Sequence, residues 1–187
     1  MTKKILVLHT GGTISMSADD DGKVSQNADN PMNHVGLDLD NLALTVLDFF
    51  NIPSPHITPY HMLDIYKKIK ETAGQYDGVV ITHGTDTLEE TAYFLDTMNV
   101  PEIPPSQLVP CVPNELGSDG VYNHSRLVSQ AMTRLPIKVS SVMNDEIHAP
   151  SMTKTHTTNA NSNTAHGPLG IIMKHDILFK TAEPRVR

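Results

Sequence analysis

Apolar residues along the chain fall into short runs separated by stretches rich in glycine, threonine, asparagine and proline. Residues 4–8 (KILVL) and 78–82 (GVVIT) are short, rich in β-branched side chains and free of polar alternation. That pattern marks strands covered on both faces, as in the middle of a parallel sheet. Residues 137–143 (IKVSSVM) and 169–173 (LGIIM) repeat it more weakly. Between the strands the period becomes helical. In TPYHMLDIYKKIKETA, Thr58 can cap, Pro59 suits the first helical position, and Met62, Ile65, Tyr66 and Ile69 share one face. In TDTLEETAYFLDTM, a capping box from Thr87 to Glu90 opens a second helix, with Leu88, Thr91, Ala92 and Leu95 on one stripe. Further helices are expected through residues 36–50 and about 123–134. Residues 15–34 are polar and aperiodic, and a loop of that length suits a lid. Residues 101–113 (PEIPPSQLVPCVP) hold five prolines where the alternation would want a strand, so an edge or a loop is expected there.

This alternation predicts an α/β fold: one domain with a doubly wound, mostly parallel sheet and helices on both faces. Such sheets bind ligands at the carboxyl ends of their strands. Both strong strands end there in glycine and threonine, as HTGGTI (residues 9–14) and THGTDT (residues 82–87). Glycines let a ligand approach the backbone and free amides to face a carboxylate or oxyanion, while the hydroxyls can attack or hydrogen-bond. Taken singly, a Gly-Gly pair after a strand is a tight turn, and Asp86 and Thr87 beside a helix start are caps.

Composition narrows the chemistry. A formal net charge of -7 without a basic run lacks the electrostatic footprint of a nucleic-acid partner. The lone cysteine, Cys111, permits no internal disulfide and lies among prolines with no activating neighbour. With no long apolar segment after MTKK, a cytoplasmic protein without a membrane partner is expected. The glycines are followed by no GK[ST] and lack the GxGxxG spacing, which argues against a nucleotide. Ten histidines show no HExxH or paired spacing, and His56, His61, His148, His156, His166 and His175 are scattered through loop-like sequence. Neither a metal nor another cofactor is expected. Asp145 and Glu146, in the NDE after the third strand run, read as a turn. Met62 and Met98 read as core filler.

Together, TGGTI near the N-terminus, THGTDTLEET, VMNDEIHAP, TKTHTTN and HGPLG resemble, in order and over nearly the whole chain, the bacterial-type L-asparaginase family. The resemblance implies an amidohydrolase acting on a small molecule, L-asparagine with L-glutamine as the alternative amide. Thr13 would be its nucleophile, forming an acyl-enzyme and releasing ammonia, and Thr10 a bystander. The family's second cluster matches Thr85, Asp86 and Lys154. A lysine of lowered pKa can take a threonine's proton. Asp86 would hold that lysine or grip the substrate's α-ammonium, and Thr85 would share in acylation or activate the hydrolytic water. Gly12 and Ser54 match positions that bind substrate, with Pro55 replacing the polar residue beside Ser54.

The chain departs from the family in three places. Residues 14–59 hold no counterpart of the tyrosine that activates the nucleophile in many members. QLVPCVPNELGSDGVYN stands where the third strand ends in a Thr-Gly-Ala-Met-like turn, so that strand end is expected to be lost. The sequence ends at AEPRVR, so residues 1–187 are read as an N-terminal catalytic domain without the usual C-terminal domain. Family members assemble from two-domain subunits, so a homo-oligomer is expected of a complete chain. Two functions follow: a working amidohydrolase, or a non-catalytic domain that binds an amino acid weakly.

Overall fold

A computed structural model of the protein describes residues 2–11, 16–18, 24–26, 42–98, 104–111, 138–143, 145–152, 167–173 and 176–179. In chain order the elements are β1 (Lys3–His9), β2 (Met16–Ala18), β3 (Val24–Gln26), β4 (Leu42–Asp48), α1 (Pro59–Glu71), β5 (Gly78–Gly84), α2 (Leu88–Thr97), β6 (Ser106–Cys111), β7 (Val139–Met143), β8 (Glu146–His148), β9 (Gly170–Met173) and β10 (Asp176–Phe179). Eight strands form one sheet in the order β10-β9-β8-β7-β6-β5-β1-β4. The pairings among β4, β1, β5, β6 and β7 are all parallel, and those beyond β7 are antiparallel. The α/β fold with a mostly parallel sheet is therefore as the sequence predicts.

β1 and β5 are adjacent interior strands with a neighbour on either side, and β5 is buried along its whole length. Their unalternating composition follows from having a covered face on each side. Ile5 and Val7 join Val80, Val109 and Val142 on one face. Leu6 and Leu8 join Val79, Ile81, Leu108 and Val139 on the other, against Ile65 and Ile69 of α1 and Leu88, Ala92 and Leu95 of α2. Removing each of these valine, leucine and isoleucine side chains from water contributes about 1.5–3 kcal/mol. Both helices present the face their spacing predicts. Thr58 caps α1, and its N–H donates to His61 Nδ1 at 3.0 Å.

Several expectations are corrected. Residues 42–48, within the stretch expected to be helical, form edge strand β4, because each of its apolar faces meets a different layer. Leu44 pairs in register with Ile5 and packs on that residue's face, whereas Leu47 pairs with Leu8 on the opposite one. Residues 36–41 and the helix expected at 123–134 lie outside the described residues. Within the stretch expected to be an aperiodic lid, Met16–Ala18 and Val24–Gln26 pair as a short antiparallel ladder.

Residues 106–111 of the proline-rich stretch are neither an edge nor a loop, since β6 lies between β5 and β7, and residues 101–103 and 112–113 lie outside the described residues. Pro104 and Pro105 precede the strand, and Pro110 falls where no donor is missed. Alternate residues of a parallel strand turn their backbone groups to opposite neighbours. The Ser106 N–H donates towards β7, to Lys138 O at 2.7 Å, so Pro110 faces that same side. The β6–β7 ladder has already ended at Leu108 and Ser141, while pairing with β5 continues to Cys111. The strand end expected to be lost is present in this ladder.

The turn expected at 144–146 joins β7 to β8 with too few residues for a crossover, which makes that pairing antiparallel. Asp145 adopts φ 62, a left-handed conformation that aspartate tolerates better than most residues. His148, expected in a loop, is a buried residue of β8, and His61 lies within α1. Among the described residues no helix is long and apolar enough to cross a membrane.

Candidate functional site

In the parallel part of the sheet the order β4-β1-β5-β6-β7 places the second strand outside the first and the later strands on its other side. The chain therefore leaves β1 and β5 in opposite directions, which opens a crevice between their carboxyl ends. Register sets His9 beside Thr82, so residues 9–11 (HTG) and 82–85 (THGT) emerge next to each other. Thr10 is 1% exposed, and both its N–H and its hydroxyl donate to Thr82 O, at 3.2 and 2.7 Å. Its oxygen is committed to holding the two strand ends together, which fits a bystander.

Gly11 follows at φ +92, and a Cβ there would lie 2.4 Å from Ile52 N and 2.7 Å from Ile52 O. Only glycine lets the segment after β4 approach so closely. That segment is tied to the end of β1: the N–H groups of Phe49 and Phe50 both donate to His9 O, and Ile52 N–H donates to Thr10 O. It then turns through a single 3-10 turn, Ser54–His56, which delivers Ser54 to the crevice.

Ser54 meets the loop after β5. Its hydroxyl donates to Asp86 Oδ2 at 2.5 Å, Asp86 N–H donates back to Ser54 Oγ at 3.3 Å, and Thr87 Oγ1 donates to Ser54 O at 2.8 Å. Ser54 is 4% exposed, Thr85 is half-buried and Asp86 is exposed. The result is a carboxylate with one oxygen held, on an exposed residue of the 3-10 turn that Thr85 opens. Thr87 does precede α2, but its side chain makes no capping bond, so the expected capping box to Glu90 is not formed. The Ser54 carbonyl takes the hydroxyl instead. Ser54→Ala should remove two of these three bonds and destabilise the chain by about 1–2 kcal/mol, read as a lowered midpoint in urea. An unchanged midpoint would show the link to be idle.

Of the candidate residues, Ser54, Thr85 and Asp86 are thus brought together, although 32 positions separate Ser54 from Asp86. Gly12, Thr13 and Lys154 lie outside the described residues.

Two histidines that sequence reasoning passed over lie directly behind the loops. His9 is 1% exposed and has Nδ1 2.8 Å from Thr82 Oγ1. His83 is fully buried, with Nδ1 2.8 Å from Gly84 O and Nε2 2.9 Å from Thr91 Oγ1. Burial lowers both imidazoles to about 4, against opposing contributions from Asp48 at His9 and the Gly84 carbonyl at His83. The signal available in sequence was one histidine within each of the strand-end runs HTGG and THGT. Both rings stay neutral in the fold and ionise near 6.5 once unfolded. Their stabilising contribution is therefore complete above pH 6.5 and is lost as pH falls towards 4, at a cost of about 3 kcal/mol for each ring. Urea midpoints should fall across that window, and a flat profile would contradict the neutral pair.

Comparison with known proteins places this arrangement. The family model described as "Asparaginase, N-terminal" matches residues 4–185. A "Probable L-asparaginase" of Deinococcus radiodurans is 35% identical over 177 residues, covering 90% of this chain and 53% of that protein. "L-asparaginase 2" of Escherichia coli is 32% identical over 192 residues, covering 97% and 55%. The solved structure of the thermostable L-asparaginase from Thermococcus kodakarensis superposes with a TM-score of 0.83 at 28% identity, over 98% of this chain and 58% of that one. The chain spans about half the length of the curated relatives it matches. From the match to the N-terminal family model and the paired strand-end loops that carry its motifs, the chain belongs to the asparaginase family.

Proposed function

We propose that residues 1–187 act as the catalytic, N-terminal domain of an asparaginase-type amidohydrolase that converts L-asparagine to L-aspartate and ammonia, with L-glutamine as the alternative amide. What supports the reading is the junction of Ser54, Thr85 and Asp86 at the crevice between β1 and β5, in a chain of the asparaginase family. Asp86 offers its open carboxylate face to the substrate's α-ammonium, and Ser54 both holds that carboxylate and borders the substrate. Thr13 attacks the side-chain amide carbon through its hydroxyl oxygen. The hydroxyl proton passes to Lys154 as the base, and Thr85 shares in acylation or activates the hydrolytic water. The amide carbonyl oxygen becomes an oxyanion facing backbone N–H groups of the glycine loops, Gly12 among them. Collapse expels ammonia, which takes up the proton, and leaves an ester on Thr13. Water then attacks the ester, releases L-aspartate and restores the hydroxyl. No cofactor enters these steps.

A complete chain works as a homo-oligomer in the cytoplasm, a reducing compartment that a single cysteine suits. The test is ammonia release from L-asparagine and L-glutamine by the purified chain, beside Lys154→Met. Release above background that drops at least about a hundredfold in Lys154→Met is the expected result. Background release from a folded chain would sink the hydrolase, and L-aspartate binding without turnover would favour a domain that only binds amino acids.

A further inference from the structure

We propose that His83 and Thr91 brace the Gly84–Thr85 peptide, making His83 a positioning residue for Thr85 and Asp86 rather than a catalytic one. The inference rests on reading those two residues as part of the site. A carbonyl oxygen can only accept, so the contact with Gly84 O requires a hydrogen on His83 Nδ1. Nε2 then carries the lone pair and accepts from the Thr91 hydroxyl. The ring spans from the last residue of β5 to the first turns of α2, and all three residues are buried.

The geometry explains why the brace reaches the site. The carbonyl of Gly84 and the N–H of Thr85 belong to one planar trans peptide and point in opposite directions. Fixing Gly84 O against the imidazole therefore aims the Thr85 N–H away from the ring and sets the rotation at which Thr85 begins its turn. Thr85–Thr87 is a single 3-10 turn, too short to hold an orientation by itself, and Thr87 makes no capping bond. On one side that turn is held by Ser54 and on the other by the imidazole. Neither ring nitrogen is left to exchange protons with a substrate, so the ring acts through geometry.

The experiment compares His83→Leu, His83→Asn, Thr91→Val and the His83→Leu/Thr91→Val double variant. Asparagine places its side-chain N–H where Nδ1–H stands and can still reach Gly84 O, whereas leucine keeps bulk without a donor. In ammonia release, kcat should fall about tenfold in His83→Leu and stay within about threefold of the parent in His83→Asn. The double variant should be no worse than His83→Leu alone, because one brace cannot be lost twice. Nitrogen NMR of the parent ring should report the Nδ1–H tautomer. The Thr85 and Asp86 amides should lose order in His83→Leu and keep it in His83→Asn.

Equal impairment by leucine and asparagine, additive losses in the double variant, or an Nε2–H tautomer would each overturn the brace. If His83→Leu does not fold, His83→Asn and Thr91→Val carry the same comparison. The NMR readings need no turnover. A parent chain that releases no ammonia, yet whose amides respond as stated, overturns the hydrolase and upholds the brace.

Discussion

Thr13→Ala is expected to lower ammonia release from L-asparagine by at least about ten-thousandfold, the scale on which removal of a covalent nucleophile acts. The reason is chemical. Alanine offers no atom that can form the ester, so the reaction must fall back on direct attack by water, aided only by substrate binding and by the backbone amides that face the oxyanion. Because binding does not pass through the hydroxyl, L-aspartate affinity should change little and the circular-dichroism spectrum should be that of the parent. Thr13→Ser supplies the control: it restores an oxygen with a different rotamer preference, and measurable turnover should return. If Thr13→Ala retains turnover within tenfold of the parent, the ester forms elsewhere, and Thr85 is the first place to look.

Gly11→Ala should be the most damaging change at a residue that takes no part in the chemistry. A φ of +92 already strains any side chain, and the added methyl would lie 2.4 Å from a backbone nitrogen, a separation no rotamer can relieve. Together the two effects should cost about 3 kcal/mol or more, and they fall on the contact that seats the Ser54 segment against β1. Urea denaturation measures the loss. In whatever fraction stays folded, KM should rise because Ser54 and Asp86 are displaced. A Gly11→Ala chain with the parent's midpoint would mean that the two segments do not need to approach so closely.

The central layers of the fold are legible in the sequence because burial on both faces leaves an unmistakable pattern. GVVIT and KILVL cannot satisfy a half-exposed strand, and the stripe of Met62, Ile65 and Ile69 cannot satisfy anything but a helix on a sheet. β4 is not legible, since Leu44 and Leu47 stand three apart as they would on one helix face, and only pairing with Ile5 and Leu8 shows that they point to opposite sides. β6 hides behind its prolines because their cost depends on which neighbour the missing donor would have faced. The capping box fails for a related reason: the orientation of the Thr87 hydroxyl is set by its donation to a carbonyl brought in from far along the chain, not by the helix start.

The site divides in the same way. Glycine and threonine at two strand ends can be read as a crevice once the alternation of elements is seen. That Ser54 and Asp86 belong to one site was legible only through family resemblance, because nothing local relates residues so far apart, and the bond between them was not foreseen. His9 and His83 carried no such cue. Their roles follow from burial, which turns a titratable side chain into a fixed pair of hydrogen-bonding groups.

The three backbone bonds that hang residues 49–52 from the end of β1 also decide which motions can reach the substrate. β4 is an edge strand with half-exposed side chains, and edge strands fray first. Yet the chain that leaves it is clamped by His9 and Thr10, which β5 holds from the other side. Loosening of β4 should therefore stop at the clamp, leaving Ser54 held with the joined ends of β1 and β5.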